Sequence, residues 1–235
     1  MKLFRGSGVA IVTPFKEGQV DYEAFEKLIL WHIEEQTDAI IVCGTTGESA
    51  TLSHEEKVEI YRFAHRIGHQ KIQIIAGTGS NDTKTSIELS IAAKEAGVDA
   101  LLIVTPYYNK PTQKGLYAHY KAIHDAVNMP IILYNVPSRT ASNLLPETVY
   151  ELSKLEHIQA IKEASGDISQ VAKVIELCGD SFVVYSGNDD QTMPILALGG
   201  QGVISVTANI IPKTIHEQTM SYLSGDFEVV KEALR

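Results

Sequence analysis

Cysteine is scarce in this 235-residue chain: Cys43 lies inside an apolar run and Cys178 near a helix end. Their spacing matches neither a metal site nor a disulfide framework, so they read as a reduced, buried pair suited to the cytosol. Cations are also in deficit, with 20 Lys and Arg against 29 Asp and Glu and a formal net charge of -9. No basic cluster stands out, which argues against a nucleic-acid partner or an anionic membrane surface. Long apolar stretches are missing as well. Met1 to Gly8 lacks the apolar core of a signal peptide and no segment approaches a membrane span, so the expected location is cytoplasmic. There is no low-complexity linker, and 44% hydrophobic residues are enough for one large core.

What the chain does have is a recurring apolar run of strand length. Such runs occupy residues 9–12, 39–43, 72–76, 100–104, 131–134, 158–161, 182–185 and 203–206. Nearly all are continuously apolar, as a parallel sheet covered by helices requires. Helical patterns lie between them. Asp21 is placed to cap a helix with Phe25, Leu28, Ile29 and His32 on one face, and Ser53 with Glu56 forms a capping-box pair ahead of Val58, Tyr61 and Ala64. Leu89, Ala92, Ala93 and Ala96 make an apolar stripe that ends at Gly97, while Pro146 and Pro212 stand at first helical turns. The alternation predicts an α/β fold, a (β/α)8 TIM barrel over residues 1–225, with 226–235 opening a further helical segment. A doubly wound open sheet shares the alternation, and the strand count favours closure.

In such a barrel, chemistry gathers at the C-terminal ends of the strands. Lys162 ends the run beginning at Ile158. Half inside a low-dielectric site its ammonium would lose solvation and become a nucleophilic amine, a candidate Schiff-base lysine; the same residue also reads as a solvated strand end. Gly44-Thr45-Thr46-Gly47 is either a cradle for a small carboxylate or a plain connecting turn, and it lacks the lysine of a phosphate loop. Tyr107, Tyr108 and Tyr134 are rim residues or phenols aimed into the same mouth, where Tyr134 and Thr45 could relay protons. Arg139 offers a fork for a substrate carboxylate unless it is merely solvated, Gly187 lets a ligand approach backbone, and Ile204 supplies an apolar wall. His54, His65 and His69 read as solvated or helix-packed rather than as metal ligands.

Three segments in order, Gly44-Thr45-Thr46-Gly47-Glu48, Tyr134-Asn135-Val136-Pro137-Ser138-Arg139-Thr140 and Ile161-Lys162-Glu163-Ala164-Ser165-Gly166, closely resemble the dihydrodipicolinate synthase family, over a span from near Gly6 to about Gly225. The resemblance implies a lyase that condenses pyruvate with L-aspartate 4-semialdehyde and needs no metal or organic cofactor. It implies Lys162 as the Schiff-base residue and Tyr134 as proton donor and acceptor. Thr45 would pass protons between Tyr134 and Tyr108, the latter reaching in from a neighbouring subunit of a homo-oligomer, a dimer or tetramer. Thr46 would hold the pyruvate carboxylate, Gly187 and Ile204 would line the pocket, and Arg139 would orient the second substrate.

Two departures from the family pattern stand out. Relatives continue past the barrel with further helices, whereas this chain stops within the run from Phe227 to Arg235; uncovered barrel surface would then lower stability or alter oligomerisation. Ser49, Ala50, His54, Asn81 and Tyr107 match the effector pocket of lysine-inhibited relatives, but Lys57 and Thr85 replace a histidine and a glutamate. Weak or absent lysine inhibition is expected. The competing readings are another pyruvate-dependent aldolase, acting on sialic acid or a keto-deoxy sugar acid, and a catalytically impaired or non-catalytic shortened barrel, natural or engineered. Arg139 within Pro137-Ser138-Arg139-Thr140 favours the synthase.

Overall fold

The computed structural model describes residues 2–228 and 230; residues 1, 229 and 231–235, and with them most of the expected opening of a helical extension, lie outside the described residues. The elements run β1 (Gly6–Ala10), β2 (Phe15–Lys16), β3 (Gln19–Val20), α1 (Tyr22–Glu34), β4 (Ala39–Val42), α2 (His54–Gly68), β5 (Gln73–Gly77), α3 (Thr83–Glu95), β6 (Ala100–Val104) and α4 (Gln113–Val127). They continue with β7 (Ile131–Asn135), α5 (Pro137–Thr140), α6 (Pro146–Ser153), β8 (Ile158–Glu163), α7 (Ile168–Cys178), β9 (Val183–Ser186), α8 (Thr192–Ala197), β10 (Gly202–Ser205) and α9 (Pro212–Ser224). Strands β1 and β4–β10 form one closed parallel barrel, sealed where β1 pairs with both β4 and β10. The fold is the (β/α)8 barrel, and closure excludes the open-sheet alternative.

Closure divides every barrel strand between two layers. On β7 the side chains of Ile132 and Tyr134 join the barrel interior, while Ile131 and Leu133 pack under the helices. On β8, Ala160 faces inward and Ile158 and Ile161 outward. Both faces are covered, so the middles of the strands are mostly apolar on both sides, and each fully buried Ile or Leu contributes about 1.5–3 kcal/mol.

The expected helix signals act as written. Ser53 and Glu56 form a reciprocal capping box on α2, Asp21 caps α1 through the Ala24 N–H, and Gly97 follows α3 with φ +89°. Strand β1 begins three residues earlier than its apolar run suggests, at Gly6. A Cβ on Gly8 would come within 2.7 Å of the Phe4 ring, so only glycine lets Phe4 tuck into the barrel interior. There Phe4 stacks on Tyr185 with ring centroids 4.4 Å apart, and the Tyr185 hydroxyl donates to the Phe4 carbonyl at 2.6 Å. The β2–β3 hairpin escaped the apolar pattern because it is exposed. Its turn residues Glu17 and Gly18 both take positive φ, as a two-residue hairpin turn demands. Among the described residues no helix is long and apolar enough to cross a membrane.

The two cysteines are free and do not form a buried pair. Cys43 is buried at the end of β4, whereas Cys178 is only half-buried at the end of α7. Burial pushes the Cys43 thiol up to about 12, which leaves it unreactive.

Candidate active site

The period of two along β8 turns Lys162 into the barrel, one residue past the last apolar pair. Its neighbour in the register is Tyr134 on β7, and on the other side Tyr185 on β9. The Lys162 Nζ lies 4.4 Å from the centroid of the Tyr134 ring, and both side chains are buried. Lys162 is 4% exposed, which rules out the solvated strand end.

Burial lowers the Lys162 pKa to about 8. The Asp189 carboxylate acts against this and the Arg139 charge reinforces it. A lysine in this range keeps a useful fraction of neutral amine near neutrality. The Tyr134 phenol moves the other way, raised by burial and partly restrained by a hydrogen bond with the Thr45 side chain and by the Arg139 charge.

Behind Lys162 sits Gly187. A Cβ there would lie 2.8 Å from the Ala164 Cβ, 3.1 Å from the Glu163 carbonyl oxygen and 3.1 Å from the Lys162 Cε. Glycine at this position therefore makes room for the lysine stem itself. Ile204 on β10 is fully buried in the same interior cluster as Tyr134 and Ala164. The mouth opens into a cavity of about 430 Å³ bordered by Thr45, Tyr107, Tyr134, Val136 and Arg139, with Lys57 and Thr85 also on its wall. A pocket of comparable size at the other end of the barrel, between Arg5, Gly200 and Tyr222, contains none of these residues.

The turn after β4 is shaped by backbone rather than by its hydroxyls. Cys43 and Glu48 take positive φ at its two ends, and the Thr13 hydroxyl donates to the Gly47 carbonyl at 2.7 Å. Thr45 is exposed on the rim and Thr46 half-buried. Gly77 completes the close packing here, since a Cβ would fall 2.2 Å from the Cys43 carbonyl oxygen.

Tyr108 is not brought into this mouth within the chain. Its φ of +71° turns it out of the loop after β6, and it is 89% exposed, whereas Tyr107 borders the cavity. Arg139 sits on the short helix α5, started by Pro137, with its side chain exposed at the cavity edge.

Two acidic residues escaped sequence reasoning. Asp189 supplies the negative charge near Lys162 while its Oδ2 accepts from the Val206 and Thr207 N–H groups and the Thr207 hydroxyl. Glu163 is buried beside Lys162 and receives hydrogen bonds from Asn135, Ser165 and Gln170. The signal for Glu163 was present, a carboxylate inside an otherwise apolar strand. Among the described residues no His, Cys, Asp and Glu group could hold a metal ion.

The model of the Dihydrodipicolinate synthetase family matches residues 3–235. The chain belongs to the dihydrodipicolinate synthetase family. It is 56% identical over 225 residues to 4-hydroxy-tetrahydrodipicolinate synthase 1 of Clostridium acetobutylicum, a match covering 96% of this chain and 77% of that protein. The 4-hydroxy-tetrahydrodipicolinate synthase of Thermoanaerobacter pseudethanolicus is 57% identical over 233 residues, covering 99% and 78% of the two chains. Among solved structures, dihydrodipicolinate synthase from Aquifex aeolicus superposes with a TM-score of 0.96 at 47% identity, covering 98% of this chain and 79% of that one. A chloride-inhibited dihydrodipicolinate synthase from Acinetobacter baumannii, solved in complex with pyruvate, gives a TM-score of 0.95 at 48% identity, covering 97% and 79%. The family thus shares the whole barrel with this chain, including the strand ends that carry Lys162 and Tyr134.

Proposed function

We propose that Lys162 is the nucleophile, and Tyr134 the proton shuttle, of a Schiff-base condensation of pyruvate with L-aspartate 4-semialdehyde. The product is 4-hydroxy-tetrahydrodipicolinate, as the names of the relatives indicate, and the enzyme is a lyase of the class I aldolase type. The observation that carries this reading is the buried Lys162 amine against the Tyr134 ring at the mouth of the barrel.

The neutral amine attacks the keto carbon of pyruvate, and Tyr134 donates a proton to the developing alkoxide to give the carbinolamine. Loss of water then forms the protonated imine. That iminium accepts the electron pair left when a methyl proton departs, and the resulting enamine attacks the aldehyde carbon of the second substrate. Cyclisation by the substrate amine displaces Lys162 and regenerates the free enzyme.

The same reading gives the neighbouring residues supporting roles. Thr45, which hydrogen-bonds Tyr134, passes the proton outward, and Thr46 with the turn backbone holds the pyruvate carboxylate. Arg139 at the cavity edge meets the carboxylate of the semialdehyde, while Gly187 and Ile204 shape the space around the pyruvyl group. Tyr108, exposed and turned away from its own barrel, completes the relay of a neighbouring subunit in a homo-oligomer. We assign the catalytic barrel to residues 1–225 and the reaction to the cytoplasm.

The test is intact-protein mass after incubation with pyruvate and borohydride, with Lys162→Ala as control. A reduced pyruvyl adduct on the parent alone is expected; no adduct on the parent overturns the assignment of Lys162.

A further inference from the structure

The face of β7 and β8 turned away from the substrate carries a polar pair buried under the helices. Asn135 and Glu163 are register partners one residue beyond Tyr134 and Lys162, and they are 0% and 1% exposed. The Asn135 Nδ2 donates to both oxygens of Glu163, at 3.1 and 3.2 Å, and to the Asn143 Oδ1 at 2.9 Å. The Asn135 Oδ1 accepts from the Leu144 N–H at 2.9 Å. Glu163 also accepts from the Ser165 N–H at 2.8 Å and from the Gln170 Nε2 at 3.3 Å. Every partner of this carboxylate is a neutral donor.

A buried carboxylate without a cation is costly, so its retention needs a reason. The contacts supply one. They tie together the ends of β7 and β8, the loop before α6 and the first turn of α7. Main-chain bonds reinforce the tie: the Ala164 N–H donates to the Asn135 carbonyl at 2.9 Å and the Gly187 N–H to the Glu163 carbonyl at 2.7 Å. The peptide units that carry Tyr134 and Lys162 are therefore held from behind, at the point where the strands leave the barrel and the ladder ends.

We propose that Asn135 and Glu163 are positioning residues, fixing the phenol of Tyr134 against the amine of Lys162 for proton transfer between imine and enamine. The inference rests on the assignment of Lys162 and Tyr134 above. An acid is required because an amide at position 163 would turn its NH2 group towards one of the donors already pointing there. Glu163→Gln thus keeps the volume and breaks the hydrogen-bond match. In Asn135→Asp/Glu163→Gln the direct contact is rebuilt with donor and acceptor exchanged, while the amide at position 163 still meets the Ser165 or Gln170 donor and the Asn143 Oδ1 loses its donor from position 135.

The experiment uses pyruvate alone. Exchange of its methyl protons in D2O, followed by NMR, reports enamine formation, and borohydride trapping counts the Lys162 sites that form the adduct. Glu163→Gln is expected to slow exchange per trapped site about tenfold, with the half-saturating pyruvate concentration changed by less than about threefold, because a small misplacement of reacting groups costs rate before it costs binding. The double variant should recover part of the loss, the share carried by the direct contact between the two positions. Gln170→Ala, which removes the outermost donor to Glu163 together with the contacts of Gln170 to Asn143 but leaves Asn135 on Glu163, is expected to give a slowing of about threefold and serves if Glu163→Gln does not fold. Fewer trapped sites with an unchanged rate per site is the signature of a merely structural role and overturns the proposal. An absent adduct on the parent overturns the reading of Lys162, a result distinct from a parent that traps normally and variants that exchange normally.

Discussion

Lys162 and Tyr134, 28 positions apart in sequence, face each other across neighbouring strands with the amine nitrogen 4.4 Å from the ring centre. The amine thus lies over the ring face, while the Tyr134 hydroxyl bonds with the Thr45 side chain. Each group is partly freed from its ordinary ionisation by burial, the amine towards neutrality and the phenol away from its anion.

Removing only the phenolic hydroxyl tests the proton shuttle. Tyr134→Phe keeps the ring against Lys162 and is expected to slow adduct formation with pyruvate about 10²-fold, the lower end of what a positioned acid-base group contributes. Rapid-quench borohydride trapping measures this; a rate within about threefold of the parent would exclude Tyr134 as the proton donor.

The pH profile of trapping should follow the amine. With Lys162 near 8, the rate rises with pH through that value and then levels, since only the neutral amine attacks. Asp189 favours the charged amine, so Asp189→Asn should move the midpoint down and speed trapping at pH 7. Arg139 disfavours it, so Arg139→Ala should move the midpoint up. Shifts of the opposite sign would show that these charges do not act on Lys162.

Gly187 leaves no room for a methyl group. Gly187→Ala would press on Ala164 and on the Lys162 stem, an overpacking that costs about 1–3 kcal/mol of stability and displaces the amine. Lower melting temperature and a reduced trapping rate are expected together; an unchanged rate would mean that the stem moves aside without consequence.

Stability and chemistry separate at the start of α2. Ser53→Ala removes a side-chain acceptor of the capping box, which leaves the Glu56 N–H without its partner and costs about 1 kcal/mol. Denaturant titration should show this loss, while trapping per folded molecule stays at the parent level.

Lysine is expected to be a poor inhibitor. Lys57 and Thr85 border the same cavity as Ser49, Ala50 and Tyr107, and a cation with a neutral hydroxyl offers little to a second ammonium. Steady-state assays with added lysine decide the matter, and half-inhibition at submillimolar lysine would refute the expectation.

Much of the architecture was legible because its causes are local. Continuous apolar runs mark strands covered on both sides, and the capping box at Ser53, the caps at Asp21 and Gly97 and the prolines at positions 146 and 212 act within one turn of chain. The start of β1 was misjudged because its glycines answer to Phe4 and Asp38, side chains outside the strand. The short β2–β3 hairpin offers only Phe15 and Val20, too few apolar residues to make a run of strand length.

The site divides along the same line. Lys162, Tyr134 and the turn at Gly44 were visible as residue types at strand ends, yet the segment around Lys162 alone reads first as a solvated strand end. The sequence by itself determined the alternation of strand and helix and the caps that bound the helices. Only the closed barrel decided that Tyr134 and Lys162 are neighbours, that Asp189 and Arg139 bias the amine in opposite directions and that Glu163 is buried against Asn135. Strand periodicity is a property of consecutive residues, whereas solvation, register and electric field depend on which distant segments the barrel brings alongside.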